Sequence, residues 1–211
     1  LDDAQPSTAL SEEVTLGDAG GINAFRAGIY DRLHSTSYQT NYMLGPSALA
    51  DGLASRPTTT RLSGLAENSR GSGLSSYGAA YDLINDANIM INVVDGKKLP
   101  DGVYEQYKAE ALTLRAFAMH HLVRALGYEP GMEPTSGLGA NFNLGIEIRT
   151  TPTSTASDAD YRPRKTNVEV YTQIKDDLKS AIALFAVNGD AGNKAYVNKA
   201  TAEALLARVY Q

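Results

Sequence analysis

Cysteine and tryptophan are both missing from this 211-residue chain. Without cysteine there is no disulfide scaffold, Cys-ligated zinc site, iron–sulfur cluster or thiol nucleophile. Cations are in the minority: 19 Lys and Arg face 24 Asp and Glu, a net charge of −5. Nucleic acid and anionic membrane surfaces both call for a basic face, so neither is an expected partner. No apolar run reaches the roughly 18 residues that a membrane-spanning helix needs. Histidine is scarce as well, with only His34, His120 and His121. Adjacent helical residues point about 100° apart, so His120 and His121 cannot readily share one metal. No metal or cofactor is expected.

Catalytic signatures are lacking too. Gly137-Leu138-Gly139 has Phe142 where a dinucleotide fingerprint needs its third glycine, and Gly71-Ser72-Gly73 has no phosphate-loop lysine. No Gly-x-Ser-x-Gly elbow occurs. Asp158-Ala159-Asp160 and Asn188-Gly189-Asp190 do not continue as calcium loops. Carboxylate pairs for glycoside hydrolysis cannot be read from sequence, since their separation in space decides the mechanism.

What is present is the composition of an ordinary globular domain, 43% hydrophobic and 20% charged. Twelve Tyr stand against four Phe, and tyrosine suits partly wet surfaces because its ring is apolar and its tip polar. Helical periodicity recurs along the chain. Ile22, Phe25, Ile29 and Leu33 mark a helix over about 19–35, with Arg26, Asp31 and Arg32 on its wet side. Residues 36–73, rich in Ser, Thr, Gly and Pro, read as a long structured loop. A second helix is expected over 74–94, closed by a glycine cap at Gly96. A third runs over 103–126 and ends at Gly127. Its apolar residues (Tyr107, Ala111, Leu114, Ala118 and Leu122, widened by Leu112, Phe117 and Val123) predict burial on more than one side. A second long loop, 128–166, has one short strand over Asn143–Arg149 by alternation. Asn167 is the expected N-cap of a fourth helix to about Ala186, with Asp176 and Asp177 as a solvated edge. A fifth helix begins near Asn198 and reads as still running at Gln211.

Two segments repeat. Ala109-Glu110-Ala111-Leu112 with Arg115 and Phe117 returns as Ala202-Glu203-Ala204-Leu205 with Arg208 and Tyr210. Tyr81, Ile84 and Asp86 return as Tyr171, Ile174 and Asp176. A helix pair therefore occurs twice, as in tetratricopeptide-like stacks, though long loops stretch the spacing far beyond about 34 residues. Arg115 and Arg208 sit at matching places on largely apolar helices. Each needs carbonyl or carboxylate partners from a neighbouring helix.

With those segments in order, the chain resembles the SusD/RagB family of surface nutrient-binding lipoproteins. The resemblance is carried by Leu1 to Ser11, by Tyr81 to Asn88, by Ala109 to Phe117 with Leu122 to Gly127, by Val168 to Ile182, and by Ala200 to Tyr210. It implies a mostly all-α fold, with tetratricopeptide-like helix pairs forming an α-α superhelix with long loops. Residues 1–211 would be one N-terminal helical domain of a longer protein. That protein would be held to the outer membrane by an N-terminal lipid and would bind oligosaccharides, or peptides in the RagB-like branch. It would pass them to a TonB-dependent transporter without catalysis. A plain tetratricopeptide-like interaction scaffold is the alternative.

Sugars are held by aromatic rings under their apolar faces and by carboxylates, amides and Arg on their hydroxyls. The loop over 36–78 offers such groups in Tyr38, Tyr42, Asp51, Arg56, Arg61, Asn68, Arg70 and Tyr77. Asp51, Arg56 and Tyr77 are the candidate ligand platform.

Overall fold

The computed structural model describes residues 16–50, 52, 63–67, 69, 77–95, 99–100, 102–154, 160–188 and 194–211. Its elements are α1 (Ala19–His34), α2 (Thr36–Gln39), a π-helical turn (Thr40–Leu44), α3 (Gly45–Leu49), α4 (Ser63–Ala66), α5 (Gly78–Asp95), α6 (Val103–Leu126), α7 (Asn167–Asn188) and α8 (Lys199–Val209). The all-α expectation holds, and the two repeated segments are two helix pairs. α5 packs on α6 and α7 on α8, while α6 and α7 lie side by side and join the pairs.

The helix α6 is the axis of the fold. The Gly102 backbone, at φ +89°, makes the turn before it, and the Gly102 N–H donates to Glu105 Oε2 at 2.9 Å. Its buried residues include Tyr107, Ala109, Leu112, Leu114, Ala116, Ala118, Met119 and Val123, on all sides of the helix. The Ala positions let α5 and α7 approach closely. Asp18 caps α1 by accepting from Gly21 N at 2.8 Å, and Asn198 caps α8 by accepting from Thr201 N at 3.0 Å. α8 spans Lys199–Val209, and the Tyr210 N–H still bonds the carbonyls of Leu206 and Ala207.

Several expectations are corrected. Residues 36–49 are helical, not loop. Tyr38 and Tyr42, four apart, both turn inward against Phe117 and His121. Pro46 has no N–H for the carbonyl four residues back, and the wider π-helical turn falls just ahead of it. The strand over Asn143–Arg149 reduces to one antiparallel bridge, Leu144 to Thr166. From Glu147 onward the backbone of the segment bonds to α5 side chains rather than to a second strand. Thr166 caps α7 in place of Asn167: its N–H donates to Glu169 Oε2 at 2.8 Å and its Oγ1 accepts from Glu169 N at 3.2 Å. Asn167 is fully buried one residue further in. Gly96, the expected cap of α5, lies outside the described residues.

Gly127 ends α6 by close approach, since its backbone is extended at φ −129° rather than left-handed. A Cβ here would lie 2.5 Å from Asn167 Oδ1 and 3.2 Å from both Gly145 Cα and Val123 O. Gly127→Ala should therefore wedge α7 and the 145 segment away from α6. Overpacking of this kind costs about 1–3 kcal/mol. A thermal melt followed by circular dichroism checks it, and an unchanged midpoint would mean the junction gives freely.

Two buried ion pairs hold α6 in place. Arg26, expected on the wet side of α1, is buried, with Nε and Nη2 each 2.6 Å from a Glu110 carboxylate oxygen. Its guanidinium lies over the rings of Tyr196, at 3.6 Å, and Tyr107, at 4.5 Å. Tyr30 also donates to Glu110 at 2.9 Å. On the other side Arg115 is bidentate to Asp177, at 2.8 and 2.7 Å. Arg115 thus finds the neighbouring-helix carboxylate it needs. Asp177 is buried, not part of a solvated edge. Arg208, its counterpart in the repeat, is exposed instead.

Candidate functional site

Helix α5 carries polar residues on an otherwise apolar frame, and they bind the extended segment that follows Ile146. Tyr81 donates to the Glu147 carbonyl at 3.0 Å. Asn88 Nδ2 donates to the carbonyls of Arg149 and Thr151, both at 3.1 Å. Asn85 pairs reciprocally with the Thr153 backbone, accepting its N–H at 2.7 Å and donating to its carbonyl at 3.3 Å. Asn88 Oδ1 in turn accepts from Arg115 at 2.8 Å, so the Arg115–Asp177 pair anchors the segment from behind.

Between helix and segment lies an open cleft of about 430 Å³, lined by Tyr81, Asp82, Ile84, Asn85, Asn88, Glu147, Arg149 and Thr153. Its charges are two carboxylates and one guanidinium. Glu147 Oε1 lies 2.6 Å from Arg149 Nε, and Arg149 also reaches Asp160. The Asp82 side chain is more than half exposed, with Arg32 at 3.7 Å as its ion-pair neighbour. Burial pushes the Tyr81 hydroxyl up to about 12, with the Glu147 carboxylate adding to the shift, so it stays a neutral donor.

Tyr77 stands one helical turn before Tyr81, on the same side of the chain, and the Tyr81 N–H bonds its carbonyl at 3.1 Å. Its ring is half exposed, as a stacking platform needs. Asp51 and Arg56, the other two candidates, lie outside the described residues, as do Arg61, Asn68 and Arg70. Tyr38 and Tyr42 are excluded as ligand groups. Both are buried, and the Tyr38 hydroxyl bonds His121 Nδ1 at 3.0 Å. The pattern reading missed Asp82, Asn85, Glu147 and Arg149. Asn85 and Asn88, three apart on an apolar helix, were the available signal.

A second groove, of about 330 Å³, runs between α1, α6 and α8. Its walls are Leu33, Leu114, Phe117, Val197, Ala204 and Leu205, with Arg208 at the rim. It is apolar and made mainly of helix faces.

A SusD-like family model, described as starch-binding and associating with the outer membrane, matches residues 19–211. The chain belongs to the SusD-like family. The SusD-like fold is confirmed by solved structures. A SusD superfamily protein from Bacteroides thetaiotaomicron VPI-5482 is 22% identical, with a TM-score of 0.71 over 92% of this chain and 42% of its own. A laminarin-binding SusD-like protein is 19% identical, with a TM-score of 0.70 over 92% of this chain and 40% of its own. B. fragilis NanU is 17% identical, with a TM-score of 0.69 over 98% and 39%. This SusD-like chain therefore spans about two fifths of the length of each of these proteins. No curated protein matches the sequence. The family description is one of binding and not of catalysis. Among the described residues no helix is long and apolar enough to cross a membrane.

Proposed function

We propose that this SusD-like chain captures glycans at the outer surface of the outer membrane, in the cleft between α5 and the 147–153 segment, with Tyr77 as a stacking platform beside it. The observation that carries the reading is the half-exposed Tyr77 one turn from a polar, open cleft in a chain of a starch-binding family. Asp51 and Arg56, in the stretch between α3 and α5, complete the proposed platform. In the whole protein a lipid at the N-terminus would hold the domain to the membrane. The captured oligosaccharide would pass to a TonB-dependent transporter.

The chemistry suits a sugar. A pyranose presents an apolar face to an aromatic ring and hydroxyls at its rim to carboxylates. Tyr77→Ala should weaken oligosaccharide binding about tenfold, the equivalent of roughly 1.4 kcal/mol. The melting midpoint should stay unchanged, because half the ring is already in water. Titration calorimetry against maltoheptaose and laminarihexaose checks both. Unchanged affinity would remove Tyr77 from the site.

A scaffold function without a small ligand draws on the apolar groove between α1, α6 and α8. It predicts silence toward every glycan in the same titrations.

A further inference from the structure

We infer that Asn88 is the positioning residue of the cleft: its side-chain amide, fixed from behind by Arg115, sets where the 147–153 wall stands, and with it the Glu147–Arg149 pair. What the wall does for a ligand rests on the glycan reading of the cleft. How the wall is held does not.

Three side chains of α5 hold this backbone, and their demands differ. Tyr81 gives one hydrogen to one carbonyl, that of Glu147. Asn85 accepts the Thr153 N–H in a short bond of 2.7 Å and donates back in a long one of 3.3 Å. Asn88 is 2% exposed and uses every group it has. Its Nδ2 donates to the carbonyls of Arg149 and Thr151, both at 3.1 Å, and its Oδ1 accepts from Arg115 Nη1 at 2.8 Å. A guanidinium only donates, so Arg115 draws the amide oxygen to itself and leaves both amide hydrogens for the wall. A carboxylate of the same shape has no hydrogen to give, and an apolar side chain has neither group. Arg115 is itself fixed by its two bonds to Asp177, which also accepts from Gln173. At the other end, Arg149 carries the guanidinium that lines the cleft and meets the Glu147 carboxylate at 2.6 Å. The Asn88 amide thus connects the buried ion pair of α6 and α7 to the charged groups a ligand would meet.

The test compares Asn88→Asp with Asn85→Asp, the same change of charge three residues apart on one helix. In Asn88→Asp the carboxylate keeps Arg115 and faces two carbonyls with nothing to donate. In Asn85→Asp the carboxylate still accepts the Thr153 N–H, and only the long bond is lost. Limited digestion with trypsin reads the wall directly, at the bond after Arg149. The wild-type chain should keep that bond intact while other sites are cut. Asn88→Asp should be cut there at least about tenfold faster, and Asn85→Asp less than about threefold faster. Asn88→Ser, neutral and too short to span both carbonyls, should also be cut at Arg149 and guards against a variant that fails to fold. Calorimetry with maltoheptaose should show affinity about tenfold weaker in Asn88→Asp and Asn88→Ser. A wild-type chain cut first at Arg149, equal cleavage there in the two Asp variants, or a folded Asn88→Ser chain with wild-type cleavage and affinity would overturn the positioning role. Silence of the wild type toward the glycan would overturn glycan capture alone, because cleavage at Arg149 judges the wall by itself.

Discussion

Asp177→Ala should lower the stability of the fold by about 3–5 kcal/mol, the cost of stranding a buried charge. Arg115 is 7% exposed, and Asp177 supplies two of its hydrogen bonds, at 2.7 and 2.8 Å. What remains after truncation is Asn88 Oδ1 at 2.8 Å and the Thr150 carbonyl at 3.5 Å, neither of them charged. Gln173, which donates to Asp177 at 2.9 Å, loses its acceptor too. For a chain of this size the midpoint should fall by about 10 °C. Arg115→Met with Asp177→Leu removes both charges and should be less damaging than the single change, because no ion is left unpaired. A wild-type midpoint for Asp177→Ala would show that water reaches Arg115. The pair also bears on the cleft, since Arg115 holds Asn88 and Asn88 holds the 149–151 backbone. The truncated chain should therefore bind glycan more weakly even at temperatures where it stays folded.

That ion pair also marks the limit of reading the sequence alone. The long apolar stripe of α6 predicted its place and its bounds, because burial on all sides leaves a periodic signal whatever the neighbours are. Arg26 and Asp177 were assigned to wet faces for the opposite reason. A charge is buried only when its partner arrives, and these partners are 84 and 62 residues away in sequence. The helical stretch 36–49 was hidden by its Ser, Thr, Gly and Pro content, although the Tyr38–Tyr42 spacing pointed to it. Of the candidate site, Tyr77 was legible as an aromatic at a loop edge. Glu147 and Arg149 were not. They reach the cleft only because Asn85 and Asn88 fix the register of an extended segment that no strand pairing defines.

Stability should fall as the pH is lowered from about 6.5 to about 4, and the adjacent histidines of α6 are the source. Burial pushes both rings down to about 4 from an ordinary value of 6.5; Arg124 and Arg208 add to the shift in each, and for His121 so does His120. His120 is 3% exposed and meets the edge of Tyr171. His121 packs on Phe117 and Tyr42, and its Nδ1 is 3.0 Å from the Tyr38 hydroxyl. Burial pushes the Tyr38 phenol up, so it stays protonated beside that ring. Because the native values lie below the unfolded ones, the unfolded chain binds more protons throughout this window. The stability present above pH 6.5 is lost as the pH falls toward 4, at up to about 1.4 kcal/mol per unit for each ring. Asp86 works the other way. Burial raises its carboxyl despite Arg32, so the native state takes up that proton first and regains some stability in acid. Denaturant midpoints measured at pH 7, 5.5 and 4.5 should decline in the wild type. They should decline less in His120→Phe/His121→Phe, which keeps aromatic rings in place and removes both titrations. An equal decline in the double variant would assign the acid sensitivity to groups other than these two rings.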